Sequence, residues 1–590
     1  MSAEIVLGIN SAYHESAAAA VVRGAVVAAV EEERFSRKKH GKRALVSNPD
    51  ELPWRSIEYV LRSAGARPED VESVAFGFAP RARMANVGAD PEPLGDPCGW
   101  GSWAGERAFE AALAQLPARL SERGIGAPVR HVPHHRAHAA SAFYPSPFER
   151  AAVLVIDGIG EHATTWLGRG EGSRLVPLAR YRYPDSLGLL WERVSLHLGF
   201  SEYDAPKVMG LAAFGDPERF RGTLGQILRV EPDRGGAVDP LSPAFRVDLA
   251  KARFRAADTA SLTPLFGPPR RPDEPPETAR FADIAAALQR ATEEALLATA
   301  RRLAILTGER RLAYAGGVAL NCVANARLER DGPFEAIYIP PAAHDAGTAI
   351  GAALEVWYAG GLREVRKARR PRRLPERPLT PFLGPEATAA EAVAAAEAAG
   401  FVAERAADAS RLAAASLAAG AIVGWFDGRL EFGPRALGGR SLLADPRRAE
   451  LRAELNRRVK HRESFRPFGA SVLAEQCAQW FDLPPGARAA PSRELMLFAY
   501  PVRAERRQRI PAVVHRDGTC RIQTVEADRN PRLHRLIACF AEFTGVPLVL
   551  NTSFNDSEPL VLTASDAVRT FAASGIETLF LGDIHVRRRV

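Results

Sequence analysis

The feature that most constrains the fold is an internal repeat. The chain opens with a predicted strand, EIVLGIN, a polar loop, SAYHES, and an apolar hairpin that turns at Arg23 and Gly24. Residues 151–180 repeat this order, because AAVLVIDGIG is a buried strand that ends in Asp-Gly and a second hairpin follows it. Two copies of strand, polar loop and hairpin predict a duplicated α/β domain.

Glycine-rich turns later in the same half predict sites for an anion. The segment 311–328 reads as strand, Gly-Gly turn and helix, and 344–354 holds a second such turn. Helices that begin at such turns present backbone N–H groups and a positive dipole end to an anion. Actin-like and sugar-kinase-like ATPases share the duplicated architecture, with loops that face a phosphate in a central cleft. The predicted phosphate loops carry Gly316, Gly317, Asn321 and Gly347.

The length of the chain predicts more than one domain. Its 590 residues exceed the size at which a single core usually stops growing. A proline- and arginine-rich stretch at 365–385 predicts an interdomain linker. We therefore expect a first domain at 1–364 and a second domain at 386–590.

The composition is that of an ordinary globular protein, with 46% hydrophobic and 25% charged residues. The first ten residues lack a basic region followed by an apolar run, and no stretch of eighteen apolar residues occurs. We therefore expect a soluble, cytoplasmic protein. The five cysteines are scattered without CxxC spacing, so neither a disulfide framework nor a cysteine zinc site is expected, and the cysteines should be reduced and mostly buried.

The formal charge of +8 is compatible with nucleic acid or with anionic small molecules. Seven lysines stand against 71 arginines, which are spread along the chain without a basic stripe interleaved with aromatics. An arginine-rich, lysine-poor composition can simply record a GC-rich genome. The pattern favours small anions over nucleic acid, and only arginines inside dense motifs indicate a site.

Two histidines and two aspartates predict a metal site. His134 and His138 are four residues apart, so on a helix their side chains lie on one face and can share a divalent ion. Asp157 follows a buried strand and Asp345 lies in a glycine-rich turn, although either could instead be an ordinary turn or N-cap residue. Such a set leaves coordination positions open for water or substrate oxygens.

His14, in the loop after the first strand, is a candidate catalytic residue. A histidine can take a proton from a hydroxyl group near neutral pH or stabilise developing charge. The alternative is a solvated turn histidine without a chemical role. Its place in one of the two repeated loops favours the chemical role.

The second half holds the densest basic motifs, in GWFDGRLEFGPRALGGRSLLADP, NRRVKHRESFRPFGASV and NTSFNDSEPLV. Guanidinium groups bind phosphate or carboxylate oxygens in pairs, and a lysine adds a point charge. Any single arginine could instead pair with a structural carboxylate such as Glu431 or Glu463. The motifs predict an anion site, whose basic residues are Arg435, Arg440, Lys460, Arg462 and Arg466.

With these motifs assembled, the sequence resembles the NodU/CmcH-type O-carbamoyltransferases, which include enzymes that carbamoylate nodulation factors, cephems and aminoglycoside antibiotics such as tobramycin. The resemblance runs nearly end to end. Its characteristic pieces are EEERFSRKKH, HHRAHAASAF, KVMGLAAFG, AGGVALNCVAN, HDAGTAIGAAL, EFGPRALGGRSLLADP, KHRESFRPFG and NTSFN. The sequence departs from the family at Glu15, where relatives usually have aspartate or glycine after the histidine.

The resemblance implies an α/β chain in two parts. The first is a duplicated actin-like domain of the ASKHA ATPase type, similar to the protein that transfers threonylcarbamoyl to tRNA. The second is an α+β YrdC-like domain, expected to make carbamoyl-adenylate from ATP and carbamoyl phosphate. The first domain would then pass the carbamoyl group to a hydroxyl group of a small molecule, in antibiotic biosynthesis or other secondary metabolism.

The resemblance also implies roles for particular residues. The metal ligands would be His134, His138, Asp157 and Asp345, with iron(II) as the ion, and His14 would assist the transfer. The contacts to carbamoyl phosphate and nucleotide would be Arg435, Lys460 and Arg466, with Arg516 as a weaker match. No nucleic acid or membrane partner is implied, and the oligomeric state, a homodimer included, is left open.

Two other functions remain to be weighed. A tRNA threonylcarbamoyl transferase would use both predicted folds, but the missing basic-aromatic stripe and the EFGPRALGGRS motif in the second half argue against it. A non-catalytic, actin-like nucleotide-binding protein would be attractive only if the sites were degenerate. Every expected metal position, however, carries a competent ligand. Among the acceptor-binding candidates, Trp100 and Trp103 could stack on a ring or be buried in a core.

Overall fold

The structure is a computed structural model that describes residues 4–86, 99–231, 239, 241–359, 371–484 and 491–589. Its contacts divide the chain into two compact units. Unit 1 holds the described residues of Met1–Glu32 and His40–Leu379, and unit 2 holds Glu33–Lys39 and the described residues from Thr380 onwards. Within the predicted linker, residues 365–370 lie outside the described part of the chain.

The secondary structure consists of alternating strands and helices. The strands are β1 (Ile5–Asn10), β2 (Ala17–Val22), β3 (Ala25–Glu31), β4 (Val71–Phe76), β5 (Val129–His131), β6 (Arg150–Ile156), β7 (Ala163–Glu171), β8 (Arg174–Arg182), β9 (Leu228–Val230), β10 (Phe245–Val247), β11 (Arg311–Ala315), β12 (Ala336–Tyr338), β13 (Val402–Arg405), β14 (Val423–Phe426), β15 (Arg440–Ala444), β16 (Gly469–Leu473), β17 (Phe498–Pro501), β18 (Thr519–Val525), β19 (Leu548–Ser553), β20 (Thr578–Leu581) and β21 (Ile584–Arg587). The helices are α1 (Glu33–Ser36), α2 (Trp54–Ser63), α3 (Pro80–Met84), α4 (Trp103–Leu113), α5 (Leu116–Ser121), α6 (His134–Phe143), α7 (Leu187–His197), α8 (Ala205–Ala212), α9 (Arg221–Leu224), α10 (Leu249–Ala252), α11 (Thr263–Phe266), α12 (Ala279–Thr307), α13 (Cys322–Asp331), α14 (Gly347–Tyr358), α15 (Ala389–Ala398), α16 (Ala409–Ala418), α17 (Leu451–Arg458), α18 (Pro531–Thr544) and α19 (Ala564–Ala573). Short 3-10 helices add Pro68–Asp70, Ala260–Leu262, Gly317–Leu320, Ala474–Gln479, Arg493–Leu495 and Ala504–Arg509.

Unit 1 contains two five-stranded sheets of the same topology. Their strand orders are β3-β2-β1-β4-β5 and β8-β7-β6-β11-β12. In each sheet the first strand of the repeat pairs antiparallel with its hairpin and parallel with a later strand. The duplicated α/β arrangement predicted from the sequence repeat is thereby confirmed. A separate two-stranded sheet pairs β9 with β10.

The core of unit 1 brings α6 and α14 together. Helix α14 contacts β1, β2 and β4, whereas α6 contacts β6, β7 and β11, and the two helices contact each other. A Cβ atom built on Gly8 would lie 1.9 Å from the carbonyl oxygen of Ala349, and one on Gly351 would lie 1.8 Å from that of Ala137. The approach of β1 to α14 therefore requires glycine at position 8, and the approach of α14 to α6 requires glycine at position 351.

Replacement of Gly351 by alanine tests this packing. The added methyl group must push α6 and α14 apart, which we expect to lower the free energy of unfolding by about 1–3 kcal/mol. The midpoint of thermal unfolding reports the change. Gly222→Ala is the matched control, because a Cβ atom there meets nothing within 4 Å. Equal midpoints for the two variants would contradict the packing described here.

Unit 2 is built on a mixed sheet of nine strands. The strand order is β13-β21-β20-β14-β15-β19-β16-β18-β17. The β14–β20 and β16–β18 pairs are parallel, and the remaining neighbours are antiparallel. Both units therefore belong to the mixed α/β class.

Four of the five cysteines lie in the described part of the chain, and all four are buried thiols without a disulfide bond: Cys322, Cys477, Cys520 and Cys539. This confirms the sequence prediction for those four. Among the described helices, none combines the length and the apolar composition that a bilayer crossing needs.

Candidate metal centre and anion-binding site

The four predicted metal ligands lie together in the interior of unit 1. Helix α6 begins at His134 and places His138 one turn further on, with both imidazoles fully buried. Asp157 follows the last residue of β6, and Asp345 lies in the turn before α14. The packing of α6 on α14 and on β6 thus brings the first turn of α6, the end of β6 and the turn before α14 together.

The distances within this group suit a shared cation. Asp157 Oδ2 lies 3.1 Å from His134 Nε2 and 3.4 Å from His138 Nε2. Asp345 Oδ1 lies 3.5 and 3.4 Å from the same two nitrogens. One donor atom from each residue falls within 4.8 Å of every other, so the group could hold a metal ion.

Neighbouring backbone groups orient two of the ligands. The Nδ1 atom of His134 lies 3.3 Å from the carbonyl oxygen of Gly77, and the N–H group of Gly317 donates to Asp157 Oδ1 at 2.9 Å. A ring that donates from Nδ1 keeps its Nε2 lone pair for a metal, an arrangement usual around metal-binding histidines. The second carboxylate oxygen of Asp157 is likewise left to face the histidines.

The electrostatics of the group also suit a cation. Burial alone would lower the pKa of His134, but the Asp345 and Asp157 carboxylates raise it well above its usual value. Burial alone would raise the pKa of Asp157, but the two histidines hold it well below its usual value. Two buried carboxylates need positive charge, which shared protons or a divalent ion can supply.

The two repeated loops meet at this centre, as the sequence repeat predicts. The Tyr13 hydroxyl group, in the loop after β1, donates to the carbonyl oxygen of Gly160, in the loop after β6, at 3.0 Å. The Tyr13 ring also meets the His134 ring edge-on at a centroid distance of 5.9 Å. His14 is therefore placed in the loop that adjoins the metal-ligand group.

The loop that carries His14 has a strained conformation. Glu15 has a φ of +55°, in the left-handed region that favours glycine. The Glu15 carboxylate lies 2.6 Å from His40 Nδ1. Burial would raise the pKa of Glu15, but the hydrogen bond from His40 holds it at about 2. The Glu15 N–H group also donates to the carbonyl oxygen of His40 at 2.9 Å, so both the backbone and the side chain of Glu15 are tied to His40.

A cavity of about 260 Å³ opens beside the metal-ligand group, and its lining includes His14, Asp157 and Asp345. The other walls carry aromatic and charged side chains, which are Tyr13, Arg83, Trp100, Tyr183, Glu192, Glu202, Tyr203, Phe254 and Arg255. Trp103 is 55% exposed, so the core burial considered for it from the sequence is wrong, whereas its stacking on a ring stays a prediction.

Sequence reasoning missed Glu192, which lies in the wall of this cavity on α7. Burial raises the pKa of Glu192 to about 8, and Asp157, Glu202 and Asp345 contribute in the same direction. The only signal in the sequence is an acidic residue inside the otherwise apolar run LGLLWE, which does not predict a site by itself.

The predicted phosphate loops lie close to the metal-ligand group. Gly316 has a φ of +96°, and Gly317 begins a 3-10 helix and donates its N–H group to Asp157. Asn321 caps α13 by accepting the N–H group of Ala324 at 3.0 Å. Gly347 is the first residue of α14. Their role in binding phosphate remains a prediction.

In unit 2, Lys460 is enclosed by oxygen atoms. Its side chain is 3% exposed, and Nζ donates to the carbonyl oxygen and side chain of both Ser553 and Asn555 at 2.5–3.0 Å. Burial lowers the pKa of Lys460 well below its usual value, and Arg462 and Arg466 lower it further. Lys460, which belongs to the KHRESFRPFG motif, is thus hydrogen-bonded to Ser553 and Asn555 of the NTSFN motif.

The cationic cluster includes an arginine that sequence reasoning missed. Burial is the main reason that the pKa of Arg462 is lowered to about 9, and the positive charges of Arg466 and Arg521 lower it as well. Arg521 lies on β18 opposite Gly469 of β16, and its Nε atom is buried without a hydrogen-bond partner among the described residues. Crowded cations that depress one another's pKa would be relieved by an anion. Arg516, the weaker match, is exposed in the turn before β18.

The EFGPRALGGR loop is held by two buried residues. The Glu431 carboxylate accepts the backbone N–H groups of Leu437, Gly439 and Arg440 at 2.7–3.1 Å, so it is not the arginine partner that the sequence allows. Arg440 is fully buried and donates to four backbone carbonyl groups. The role of Arg440 is therefore structural, which corrects the anion-binding role that the sequence suggested.

Comparison with known proteins gives matches along the whole chain. The family models described as Carbamoyltransferase N-terminus and Carbamoyltransferase C-terminus match residues 5–354 and 414–588. An uncharacterized protein of Synechocystis is 38% identical over 98% of this chain and 95% of its own length. Nodulation protein NolNO of Sinorhizobium fredii is 38% identical over 98% and 80%. The 3'-hydroxymethylcephem-O-carbamoyltransferase of Streptomyces clavuligerus is 29% identical over 80% and 84%.

Proposed function

This chain belongs to the NodU/CmcH-type O-carbamoyltransferase family, and from that premise we propose that it uses ATP and carbamoyl phosphate to carbamoylate a hydroxyl group of a small natural product. The observation that carries the proposal is the presence of two chemically different sites. Unit 1 holds a buried His/Asp group beside a cavity, and unit 2 holds a crowded cationic cluster. We assign unit 1 to the actin-like type and unit 2 to the YrdC-like type.

Activation is assigned to unit 2. Carbamoyl phosphate is a slow acyl donor toward an alcohol, whereas an adenylate has a better leaving group. One water, one carbamoyl phosphate and one ATP would give carbamoyl-adenylate, phosphate and pyrophosphate: the phosphate leaves first, and the carbamate oxygen then attacks the α-phosphorus of ATP. Arg435, Arg466 and Arg521 are the proposed contacts to these anions, since guanidinium groups match phosphate oxygens in pairs. Lys460, whose ammonium group donates to Ser553 and Asn555, is proposed to hold their loop at the anion site and to add a positive charge there.

Transfer is assigned to unit 1. His14 lines the cavity and would take the proton of the acceptor hydroxyl as its oxygen attacks the carbamoyl carbon, with AMP as the leaving group. A divalent ion, which we propose to be iron(II), held by His134, His138, Asp157 and Asp345, would supply electrostatic stabilisation of the donor's oxygen atoms. The Gly316–Gly317 turn would act through the ligand group, since the Gly317 N–H group donates to Asp157 and the Gly316 N–H group donates to the carbonyl oxygen of Ala343.

The acceptor is proposed to be a hydroxylated ring compound. Aromatic side chains such as Tyr183 and Tyr203 provide flat apolar walls, and the Glu192 and Glu202 carboxyl groups provide hydrogen-bond partners for hydroxyl groups. The cavity of about 260 Å³ fits part of such a molecule. One relative is named as an O-carbamoyltransferase of a hydroxymethylcephem, which is a hydroxylated ring compound.

The test is an assay of the purified chain with ATP and carbamoyl phosphate. We expect release of pyrophosphate and formation of carbamoyl-adenylate, both dependent on carbamoyl phosphate. Threonine with bicarbonate is the matched substrate control, since a tRNA threonylcarbamoyl enzyme would use that pair and a carbamoyltransferase should ignore it. Pyrophosphate release from ATP with threonine and bicarbonate, in the absence of carbamoyl phosphate, would contradict the proposal.

A further inference from the structure

A short N-terminal segment belongs to unit 2. The contacts of Glu33–Lys39 place it there, although the residues on both sides of it along the chain belong to unit 1. Arg34 Nη2 donates to the carbonyl oxygen of Gly433 at 3.0 Å. Arg37 donates from Nη1 to the carbonyl oxygen of Leu560 at 2.6 Å and from Nη2 to that of Pro559 at 2.7 Å. Two arginines of one segment thus hold two separate loops.

One of these loops carries Arg435. Gly433, whose carbonyl oxygen accepts from Arg34, precedes Arg435 by two residues. Arg34 is only 4% exposed, and its Nη1 atom lies 2.6 Å from the Glu33 carboxylate, so its guanidinium group is fixed from two sides. The Arg34 side chain, which lies 399 residues earlier in the sequence, therefore fixes the position of the Gly433 backbone.

The other loop carries the oxygen atoms around Lys460. Asn555, which accepts from Lys460, donates from Nδ2 to the carbonyl oxygen of Glu558 at 2.6 Å. The Val561 N–H group donates to the carbonyl oxygen of Phe554 at 3.1 Å, which closes the loop. The Pro559 and Leu560 carbonyl groups that Arg37 binds lie on the returning side of this loop.

We propose that Arg34 and Arg37 are positioning residues of the anion site in unit 2, because they hold the loops of Arg435 and Lys460 in their binding geometry before the substrate arrives. The proposal rests on the proposed function in that it takes carbamoyl phosphate as the anion. Without the two arginines, part of the free energy of substrate binding would be used to order both loops, so the measured affinity for the substrate would fall. The segment therefore acts on affinity through the loops and does not touch the substrate.

The test is the dissociation constant of carbamoyl phosphate, measured by calorimetry on the full chain, together with its KM in ATP–pyrophosphate exchange. We expect Arg37→Ala to raise both by about tenfold, with a smaller effect on kcat, because ordering a loop costs a free energy that corresponds to roughly that factor. The metal content of unit 1 should stay at the wild-type level. Lys38→Ala is the matched control, since Lys38 is the exposed neighbour on the same segment.

Arg37→Lys separates positioning from charge. A lysine keeps the positive charge but lacks the planar fork that spans both carbonyl oxygens, so it should bind carbamoyl phosphate as weakly as the alanine variant. It also replaces the alanine variant if that protein unfolds at the assay temperature. Wild-type affinity in Arg37→Lys, or in a folded Arg37→Ala protein, overturns the proposal. A wild-type protein that binds carbamoyl phosphate without exchange contradicts the proposed function instead, and leaves the affinity comparison intact.

Discussion

An Asp157→Asn protein is expected to lose its bound divalent metal and to transfer the carbamoyl group about 100-fold more slowly or worse. Asp157 Oδ2 is the carboxylate atom that faces both imidazole Nε2 atoms, at 3.1 and 3.4 Å. Asparagine keeps an oxygen for the Gly317 N–H group but turns an amide N–H group toward the metal position. Elemental analysis of the purified protein and a transfer assay measure the two effects.

The matched control is Asp216→Asn, which makes the same change of charge at an exposed position of unit 1. Formation of carbamoyl-adenylate in unit 2 should be unaffected by either variant. If Asp157→Asn retains full metal content and turnover, the assignment of four ligands is wrong. A loss of metal together with a lower thermal midpoint than that of Asp216→Asn would show that the ion also stabilises unit 1.

Lys460→Met is expected to slow carbamoyl-adenylate formation by on the order of 100-fold to 1000-fold. The substitution removes the ammonium group that holds Ser553 and Asn555, and with it a positive charge beside Arg462 and Arg466. Lys460→Arg should not restore activity, because a planar guanidinium group does not fit a compact set of four oxygen atoms. Carbamoyl phosphate-dependent pyrophosphate exchange is the measurement.

Arg405→Ala serves as the control for Lys460→Met, since Arg405 is an exposed cation of unit 2 on β13. Both proteins should keep the wild-type metal content, because the predicted ligands all belong to unit 1. Exchange at the wild-type rate in Lys460→Met would remove Lys460 from the proposed anion site. Loss of metal in that variant would show that the two sites are not independent.

The sequence predicted the features that depend on local pattern. The strand, loop and hairpin repeat is visible because buried strands and polar loops alternate at short range, and the two sheets of unit 1 have the same topology. The His134/His138 pair is readable for the same reason, since one turn of a helix sets their spacing. Asp157 and Asp345 could be proposed only as ends of elements, and the packing of α6 on α14 was needed to bring them to the histidines.

Features that depend on distant contacts could not be read in the same way. Arg440 lies in one of the basic motifs and Arg521 lies outside all of them, yet only the fold shows that Arg440 binds backbone carbonyl groups and that the charge of Arg521 acts on Arg462. Glu192 is one acidic residue in an apolar helix, and its pKa is raised first by burial and then by the carboxylates of Asp157, Glu202 and Asp345, which only the fold brings near it. Local composition carries no information on such pairs.

The segment Glu33–Lys39 has a consequence for how the protein folds. Its hydrogen bonds to the rest of unit 2 join residues 399 to 523 positions apart, so the Arg34 bond must wait until Gly433 is synthesised and the Arg37 bonds until Leu560 and Pro559 are. A nascent chain must keep this segment available while the intervening residues emerge and fold. Unit 2 is therefore a discontinuous domain, and a fragment that starts at Thr380 lacks seven of its residues, Glu33–Lys39, and with them the donors for three backbone carbonyl groups.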